Sequence, residues 1–265
     1  MADQTRLKLA EQGKSEWKIA VSGQASPSER YAAQELQLFL KEISGAELPV
    51  TDEADAGQAH TIWVGEHERF EELGVSIDWA ELGDEGFVIR TYADHLVIAG
   101  GKQRGTLYGV YSFLEEVLGC RWLSPEVSRI PKRGIIDIGE LDMKQIPALE
   151  YRETFYFKAF DAVWAARNKL NGNFTRLEER QGGKIDYSSL FVHTFDHFVP
   201  VSQYFDTHPE YFSEIDGKRI SERTQLCLTN EVVLELGTAG VRRWIAAHPD
   251  IRIVSVSQND WYNPC

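Results

Sequence analysis

The segment from Gly86 to Leu118 constrains the fold more strongly than any other part of the chain. Residues 86–92 (GFVIRTY) and 95–99 (HLVIA) are β-rich runs on either side of Ala93-Asp94, which predicts a hairpin. The turn GGKQRG (residues 100–105) follows and leads into a predicted helix. The apolar stripe of this helix consists of Leu107, Val110, Tyr111, Leu114 and Leu118. A hairpin followed directly by an amphipathic helix predicts α+β packing.

A strand, a helix and a second strand are predicted before this hairpin. Residues 16–21 (EWKIAV) and 61–64 (TIWV) have the composition of strands. Between them, Ser26 is a predicted N-cap, Pro27 occupies the first helical position and Glu29 completes a capping box. All these elements together predict a compact α+β domain.

The sequence pattern that predicts strands and helices is absent between residues 142 and 148, where Pro147 interrupts it. We therefore predict an N-terminal α+β domain over residues 15–140 and a second domain over residues 148–265. Residues 1–14 are polar and are predicted to form a disordered tail.

The second domain has a different order of elements. Residues 151–157, 190–195 and 251–256 are predicted strands, and residues 159–170 and 231–247 are predicted helices. Strands that alternate with helices are typical of βα units around a parallel sheet. The predicted fold class is therefore α+β followed by α/β.

The charge balance excludes several classes of partner. The chain has 28 Lys and Arg against 41 Asp and Glu, a formal net charge of −13, and its basic residues are scattered, which argues against nucleic acid. No apolar run approaches the roughly 18 residues of a membrane span. No apolar segment marks a signal peptide, and the three cysteines are far apart, so we expect a reduced, cytoplasmic protein. The oligomeric state stays open.

Two short motifs invite a cofactor or metal assignment. In the GGKQRG turn, Gly105 is followed by Thr106 rather than Lys, so a phosphate loop is disfavoured and a tight connection with positive φ and close helix packing is predicted. His193 and His197 are four residues apart but lack the Glu of a zinc-protease motif and a third ligand. We predict no cofactor and no metal.

The segment IVSVSQNDWYNPC (residues 253–265) carries the most chemical information. A predicted strand leads directly into polar residues, and chemistry in a (β/α)₈ barrel lies at such strand ends. Partial burial beside Trp261 would raise the pKa of Asp260 and suit it to act as a general acid. The alternative is that Asp260 caps a following helix. Trp261 and Tyr262 are candidates for a cleft position.

The first half resembles a known type of domain. Residues 85–125 are similar to the N-terminal domain of family 20 β-N-acetylhexosaminidases and family 67 α-glucuronidases in their hairpin, glycine turn and helical pattern of Gly105, Tyr108, Gly109 and Leu114. This resemblance implies a zincin-like α+β domain followed by a (β/α)₈ barrel.

The second half resembles the domain-of-unknown-function 4838 family. Four stretches carry this similarity: WAARNKLNGN (164–173), YFDTHPEYFSEIDGKR (204–219), QLCLTN (225–230) and VSVSQNDWYNPC (254–265). This resemblance identifies a family but implies no particular activity.

The family 20 resemblance implies roles for individual residues. Arg152 matches a sugar-binding Arg on the first barrel strand, Asp260 falls on the general acid, and Asn259 falls on an Asp that orients the acetamido group. Because Asn cannot stabilise an oxazolinium cation as a carboxylate can, a uronic acid becomes as plausible a substrate as a 2-acetamido sugar. His193 is a further candidate for contacting substrate, alongside Asn259 and Trp261.

A glycosidase mechanism also requires a second carboxylate, for which Glu153 and Asp196 are the candidates. Since 117 residues follow Ala148 whereas a (β/α)₈ barrel takes about 250, we expect only the first half of the barrel, truncated after about strand four. The chain is thus predicted to be an N-terminal fragment, inactive alone, of a glycoside hydrolase that acts on O-glycosidic bonds of a hexosaminide- or glucuronide-type sugar. The alternatives are a non-catalytic carbohydrate-binding module and, on a weaker basis, a cysteine cluster beginning at Cys265.

Overall fold

The computed structural model describes residues 6–52, 60–187 and 190–263. The chain divides into two compact units, Met1–Lys184 and Ile185–Cys265, which are described separately. The predicted boundary between residues 140 and 148 falls inside the first unit and stays a prediction.

The first unit combines strands and helices. Its strands are β1 (Leu7–Glu11), β2 (Lys18–Ala20), β3 (Val50–Thr51), β4 (Thr61–Val64), β5 (Phe87–Tyr92), β6 (His95–Gly100), β7 (Arg121–Ser124), β8 (Val127–Arg129), β9 (Ile135–Ile138) and β10 (Asp142–Gln145). Its helices are α1 (Pro27–Ser44), α2 (Phe70–Leu73), α3 (Trp79–Leu82), α4 (Gly105–Ser112) and α5 (Ala162–Arg167). A π-helical turn, Phe113–Val117, continues α4.

A mixed sheet forms the centre of the first unit, with the strand order β10-β5-β6-β4-β2-β3 among the described residues. Strands β2, β4 and β6 are parallel to one another, and β5 and β6 form the predicted antiparallel hairpin. Helix α1 begins with the predicted capping box between Ser26 and Glu29 and ends at Gly45, whose φ is 81°. These local signals are confirmed.

The main core lies between the sheet and helices α1 and α4. Leu36 and Leu40 of α1 and Leu107 of α4 are fully buried with Ile62 and Ile98 of the sheet. A Cβ on Gly105 would collide with the carbonyl oxygen of Gly86, so glycine permits this close approach. The predicted close helix packing is confirmed, whereas the predicted positive φ is not adopted by the glycines of this turn.

Part of the predicted N-terminal tail is ordered. Strand β1 pairs antiparallel with β9, and its Leu7 and Leu9 side chains are buried. The indole of Trp17 donates a hydrogen bond to the Lys8 carbonyl at 2.8 Å. Burial of alternate apolar residues and this bond hold the segment against the unit, while residues 1–5 lie outside the described part.

The second unit contains α6 (Phe195–Phe198), α7 (Val201–Tyr204), β11 (Glu214–Ile215), β12 (Lys218–Arg219) and α8 (Glu231–Ala247). Strands β11 and β12 form a short antiparallel pair, and α8 agrees with the predicted helix and is capped by Asn230. A small core contains Val199, Tyr211, Phe212, Leu226 and Val233.

The strands predicted at 151–157, 190–195 and 251–256 are not formed, and no parallel sheet occurs in the described part of the second unit. The Thr194 hydroxyl instead donates to the Ser255 carbonyl at 2.9 Å and accepts from the Ser257 N–H at 3.0 Å. Side-chain bonds of this kind satisfy backbone groups that a ladder would otherwise pair. The observed class is mixed α/β.

No helix in the described ranges combines the length and apolar character that crossing a membrane requires. The cytoplasmic location stays a prediction.

Candidate active site

A cleft of about 420 Å³ in the second unit brings together four of the five predicted site residues. His193, Asn259, Asp260 and Trp261 all line it. A volume of this size is typical of small-ligand sites, which span roughly 300–1,000 Å³.

Gln225 positions the segment that carries three of these residues. This buried side chain accepts a hydrogen bond from the Asn259 N–H at 3.0 Å. It also donates to the carbonyls of Asn259 at 2.6 Å and Trp261 at 2.8 Å. Because one amide fixes the backbone on both sides of Asp260, Gln225 sets where that carboxylate lies. The sequence analysis did not single out Gln225, which appears there only within the stretch QLCLTN (225–230).

His193 contacts the same C-terminal segment through both its backbone and its side chain. Its backbone N–H donates to the Ser257 hydroxyl at 3.0 Å, and its Nδ1 lies 3.3 Å from the Gln258 carbonyl oxygen. A carbonyl can only accept, so Nδ1 carries the proton in this contact and Nε2 of the neutral ring is left as an acceptor.

The cleft contains two carboxylates in different settings. Asp196 accepts a hydrogen bond from the Val201 N–H at 3.2 Å. Asp260 is exposed, and within the described residues its side chain makes no hydrogen bond and no ion pair. Neither the burial expected beside Trp261 nor a helix-capping bond is present.

Asn259 connects two parts of the cleft wall. Its Nδ2 donates to the Thr224 carbonyl at 3.3 Å, and its Oδ1 accepts from the Asp196 N–H at 3.4 Å. The amide is therefore engaged with the protein on both sides, which suits it to holding the shape of the cleft.

Arg223 also lines the cleft, and sequence reasoning missed it. Its guanidinium carbon lies 5.6 Å from the centre of the Trp261 ring, which is 49% exposed. Arg223 and His193 both have left-handed backbones, with φ values of 52° and 59°. Such conformations are uncommon for non-glycine residues and are enriched at functional sites.

Arg152, the fifth predicted residue, belongs to the first unit. Its guanidinium donates to Glu85 Oε2 at 2.6 Å and to the carbonyls of Lys169 at 2.8 Å and Leu149 at 2.6 Å. Arg104, whose side chain is fully buried, donates to the other Glu85 oxygen. Arg152 thus takes part in an ion-pair network inside its own unit, and its substrate role stays a prediction.

The two candidates for a second carboxylate lie in different units. Glu153 accepts hydrogen bonds from the Tyr151 hydroxyl and the Phe174 N–H within the first unit. Asp196 lines the same cleft as Asp260. Of these two, Asp196 shares a cavity with the candidate acid.

The described residues contain no group of three or more side chains that could hold a metal ion. His197 packs edge-on against Trp244 with ring centres 5.0 Å apart rather than joining His193 in the cleft. Cys265, the residue of the predicted cysteine cluster, lies outside the described residues.

Two family models match the chain. The model described as domain of unknown function (DUF4838) matches residues 122–265, just over half of the chain. The model described as glycosyl hydrolase family 67 N-terminus matches residues 4–113. The N-terminal part is therefore similar to the N-terminus of family 67 glycosyl hydrolases.

Curated relatives include the probable alpha-glucuronidase A of Aspergillus oryzae (strain ATCC 42149 / RIB 40), which is 34% identical over 84 residues, or 31% of this chain. The corresponding protein of Aspergillus flavus is 34% identical over the same length. Each alignment spans 10% of the relative's own length.

Similar solved structures include a family GH115 4-O-methyl-alpha-glucuronidase with specificity for decorated arabinogalactans. It is 17% identical with a TM-score of 0.46, over 68% of this chain and 29% of that one. The GH20 beta-N-acetylhexosaminidase of Streptomyces coelicolor A3(2) is 18% identical with a TM-score of 0.39, over 64% and 31% of the two chains.

Proposed function

Because the chain belongs to the family defined by the domain of unknown function DUF4838, behind an N-terminal part that matches glycosyl hydrolase family 67, we propose that it is part of a glycoside hydrolase. The sugar binds in the cleft of the second unit, and the bond that is cleaved is an O-glycosidic bond of a hexosaminide- or glucuronide-type sugar.

The observation that carries this proposal is the meeting of a half-exposed indole with two carboxylates in one cleft. Trp261 offers an aromatic face of the kind against which sugar rings pack. His193 and Asn259 add polar groups that can bind sugar hydroxyls. In this assignment Asp260 is the general acid and Asp196 is the second carboxylate.

Two structural proposals accompany this function. Residues 15–140 form the zincin-like domain, and residues 148–265 contribute the first half of a (β/α)₈ barrel. Apolar side chains exposed on the second unit support the barrel, since Leu228, Leu234 and Val256 are 64%, 66% and 55% exposed. Arg152 is proposed as a substrate contact of the assembled enzyme.

One observation favours the second candidate function, a non-catalytic carbohydrate-binding module. Asp260 is exposed, and a general acid that must stay protonated near neutral pH usually needs burial or a neighbouring negative charge. A cleft that binds sugar without cleaving it does not need a protonated Asp260.

The test is the Asp260→Asn variant of the full-length protein of which this chain is proposed to be a part, assayed on aryl N-acetylhexosaminides and aryl glucuronides. A general acid contributes roughly 10²–10⁴ in rate, so a loss of that size is expected. Asp250→Asn is the matched control, because Asp250 is exposed in the same unit and does not line the cleft. Unchanged turnover in Asp260→Asn rejects the catalytic role, and sugar binding without hydrolysis by the full-length parent protein supports the binding module.

A further inference from the structure

A cavity of about 580 Å³ lies in the first unit, next to the carboxyl end of strand β4. Its lining comes from the segment that follows β4, from α2 and from the start of α3. Strands β2 and β4 are parallel neighbours, but the chain leaves β2 towards β3 on one side and leaves β4 towards β6 on the other. In open sheets with parallel strands, ligands bind at the carboxyl ends of two such strands.

Side chains that follow all three parallel strands meet at carboxylates of this region. Ser22, after β2, donates to Glu68 Oε2 at 3.0 Å, and Lys102 Nζ, after β6, lies 3.0 Å from Glu66 Oε2. Glu29, which is buried in the first turn of α1, accepts a hydrogen bond from the Glu66 N–H at 3.2 Å. A helix N-terminus at such a position commonly holds an anion, and here the carboxylate of Glu29 takes that place.

The charge of the cavity disfavours an anionic ligand and favours a cation. Glu66, Glu68 and Glu71 line it, and no Lys or Arg of the described residues does. A hydrogen bond from its own backbone, together with that from Ser22, lowers the pKa of Glu68, so this carboxylate is ionised at neutral pH. Lys102 offsets the charge of Glu66, whereas within the described residues Glu68 and Glu71 make no ion pair with a Lys or Arg.

A buried imidazole in the wall of the cavity supplies an unused donor. The side chain of His67 lines the cavity and is 2% exposed. Its Nδ1 accepts a hydrogen bond from the Arg69 N–H at 3.2 Å, and burial lowers the pKa of the ring, so the neutral ring carries its proton on Nε2. Nε2 has no hydrogen-bond partner among the described residues. A ligand with an acceptor atom at this point would satisfy a donor that is otherwise buried and unpaired.

The rest of the wall is apolar. Phe70 and Val75 are buried, and Ile77 and Trp79 are half-buried beside them. A sugar would place hydroxyl groups without partners against these side chains, whereas an aromatic ring packs against them. The wall therefore favours an apolar body between the cationic group and the acceptor atom.

We propose that this cavity of the first unit binds an aryl-alkyl ammonium ligand whose ring carries a hydrogen-bond acceptor. The ammonium group lies against Glu68 and Glu71, the ring lies against Trp79, and the acceptor receives the N–H of His67. The cavity belongs to the first unit, so this inference does not depend on the proposed cleavage of a sugar in the second unit.

The experiment is calorimetric titration of the full chain with tyramine, and with phenethylamine and 4-hydroxyphenylacetate as matched probes. We expect tyramine to bind with a dissociation constant below about 1 mM. 4-Hydroxyphenylacetate, in which a carboxylate replaces the ammonium group, should bind about tenfold more weakly. Phenethylamine lacks the phenol oxygen and should bind about three- to tenfold more weakly. Added salt should weaken the binding of tyramine.

The double variant Glu68→Gln/Glu71→Gln tests the position of the ammonium group. It should abolish most of the preference for tyramine over 4-hydroxyphenylacetate, and because both side chains are exposed it removes charge with little change in packing. Glu81→Gln is the matched control, since Glu81 is exposed on α3 and does not line the cavity. The control should bind tyramine as the parent chain does.

The absence of tyramine binding overturns the proposal, and so does equal affinity for tyramine and either matched probe. Binding of tyramine that the double variant leaves unchanged and that Trp261→Ala abolishes belongs to the cleft of the second unit, and this result also overturns the proposal. Tighter binding of glucosamine than of tyramine contradicts the apolar body of the ligand. Because the readout is binding and not hydrolysis, failure of this site and failure of the proposed function are measured separately.

Discussion

Replacing Glu85 with Ala should destabilise the first unit strongly, because its carboxylate is shared among three buried or half-buried donors. Oε1 accepts from Arg104 Nε at 2.5 Å and from Asn171 Nδ2 at 2.8 Å, and Oε2 accepts from Arg152 at 2.6 Å. The Arg104 side chain is 0% exposed and that of Glu85 is 9% exposed. The variant would leave one fully buried guanidinium without its counter-charge.

Removing one partner of a buried ion pair costs about 3–5 kcal/mol. A change of 1 kcal/mol shifts the melting temperature by roughly 2–4 °C in a domain of this size, so a fall of about 6–20 °C is expected. The matched control is Glu81→Ala, which breaks an exposed pair with Lys144 in which the two side chains are 46% and 43% exposed. Exposed pairs contribute about 0–1 kcal/mol.

The assays are thermal melting, which gives the melting temperature, and urea denaturation at neutral pH, which is analysed through its midpoint and slope; both are followed by circular dichroism. The slope should be the same for the parent and both variants, so that the midpoints report stability alone. If Glu85→Ala shifts the midpoint no more than Glu81→Ala does, the network contributes no more than a surface pair and the reasoning fails.

Two further predictions use the same urea assay. Gly182→Ala should lower the free energy of unfolding by roughly 2–5 kcal/mol, because the φ of Gly182 is 80° and a Cβ would collide with the Gln103 carbonyl. Gly183→Ala is the control and should lower it by about 1–2 kcal/mol, because Gly183 has a φ of 68° but open space around a Cβ. Equal losses of stability in the two variants would refute the collision. Burial lowers the pKa of His67, so the unfolded chain binds the proton more readily, and stability should be full above pH 6.5 and fall as the pH drops from 6.5 towards the folded-state pKa. The fall between pH 7.5 and pH 5 should be smaller in His67→Gln than in the parent or in the exposed control His208→Gln, and an unchanged fall would contradict it.

The features that the sequence predicts correctly depend on residues that are close together in the chain. The capping box of Ser26 and Glu29 involves a bond between residues three apart, and the β5–β6 hairpin depends on Ala93 and Asp94 between two β-rich runs. Neither feature requires knowledge of distant parts of the chain.

The predicted strands that are not formed show what local sequence patterns cannot predict. Residues 251–256 are rich in β-branched side chains, yet the structure leaves them irregular and bonds Ser255 and Ser257 to the side chain of Thr194. A strand exists only with a partner strand, and apolar composition reports burial and propensity without naming that partner. The same holds for residues 151–157, where Arg152 and Glu153 bond to neighbouring segments.

The candidate site residues were chosen for their chemistry, whereas the contacts that hold them in place were not predicted. Asp260 and Trp261 could be chosen because a carboxylate and an indole follow an apolar run, and this information lies within one segment. Gln225 and Arg223 could not, because their roles depend on contacts with residues more than 30 positions away. No local pattern distinguishes a clamping glutamine from an ordinary polar residue at the end of a loop.

These contacts explain how a cleft can be ordered without a sheet beneath it. Three segments, around residues 194, 225 and 259, meet through side chains that bond to each other's backbones. Thr194 and Gln225 each bond to two residues of the final segment, so the backbone groups around Asp260 are satisfied in pairs. Because each of these side chains both donates and accepts, apolar replacement of either would leave part-buried backbone donors and acceptors of the final segment unpaired. The position of the candidate acid is therefore determined by two polar side chains that take no part in the chemistry.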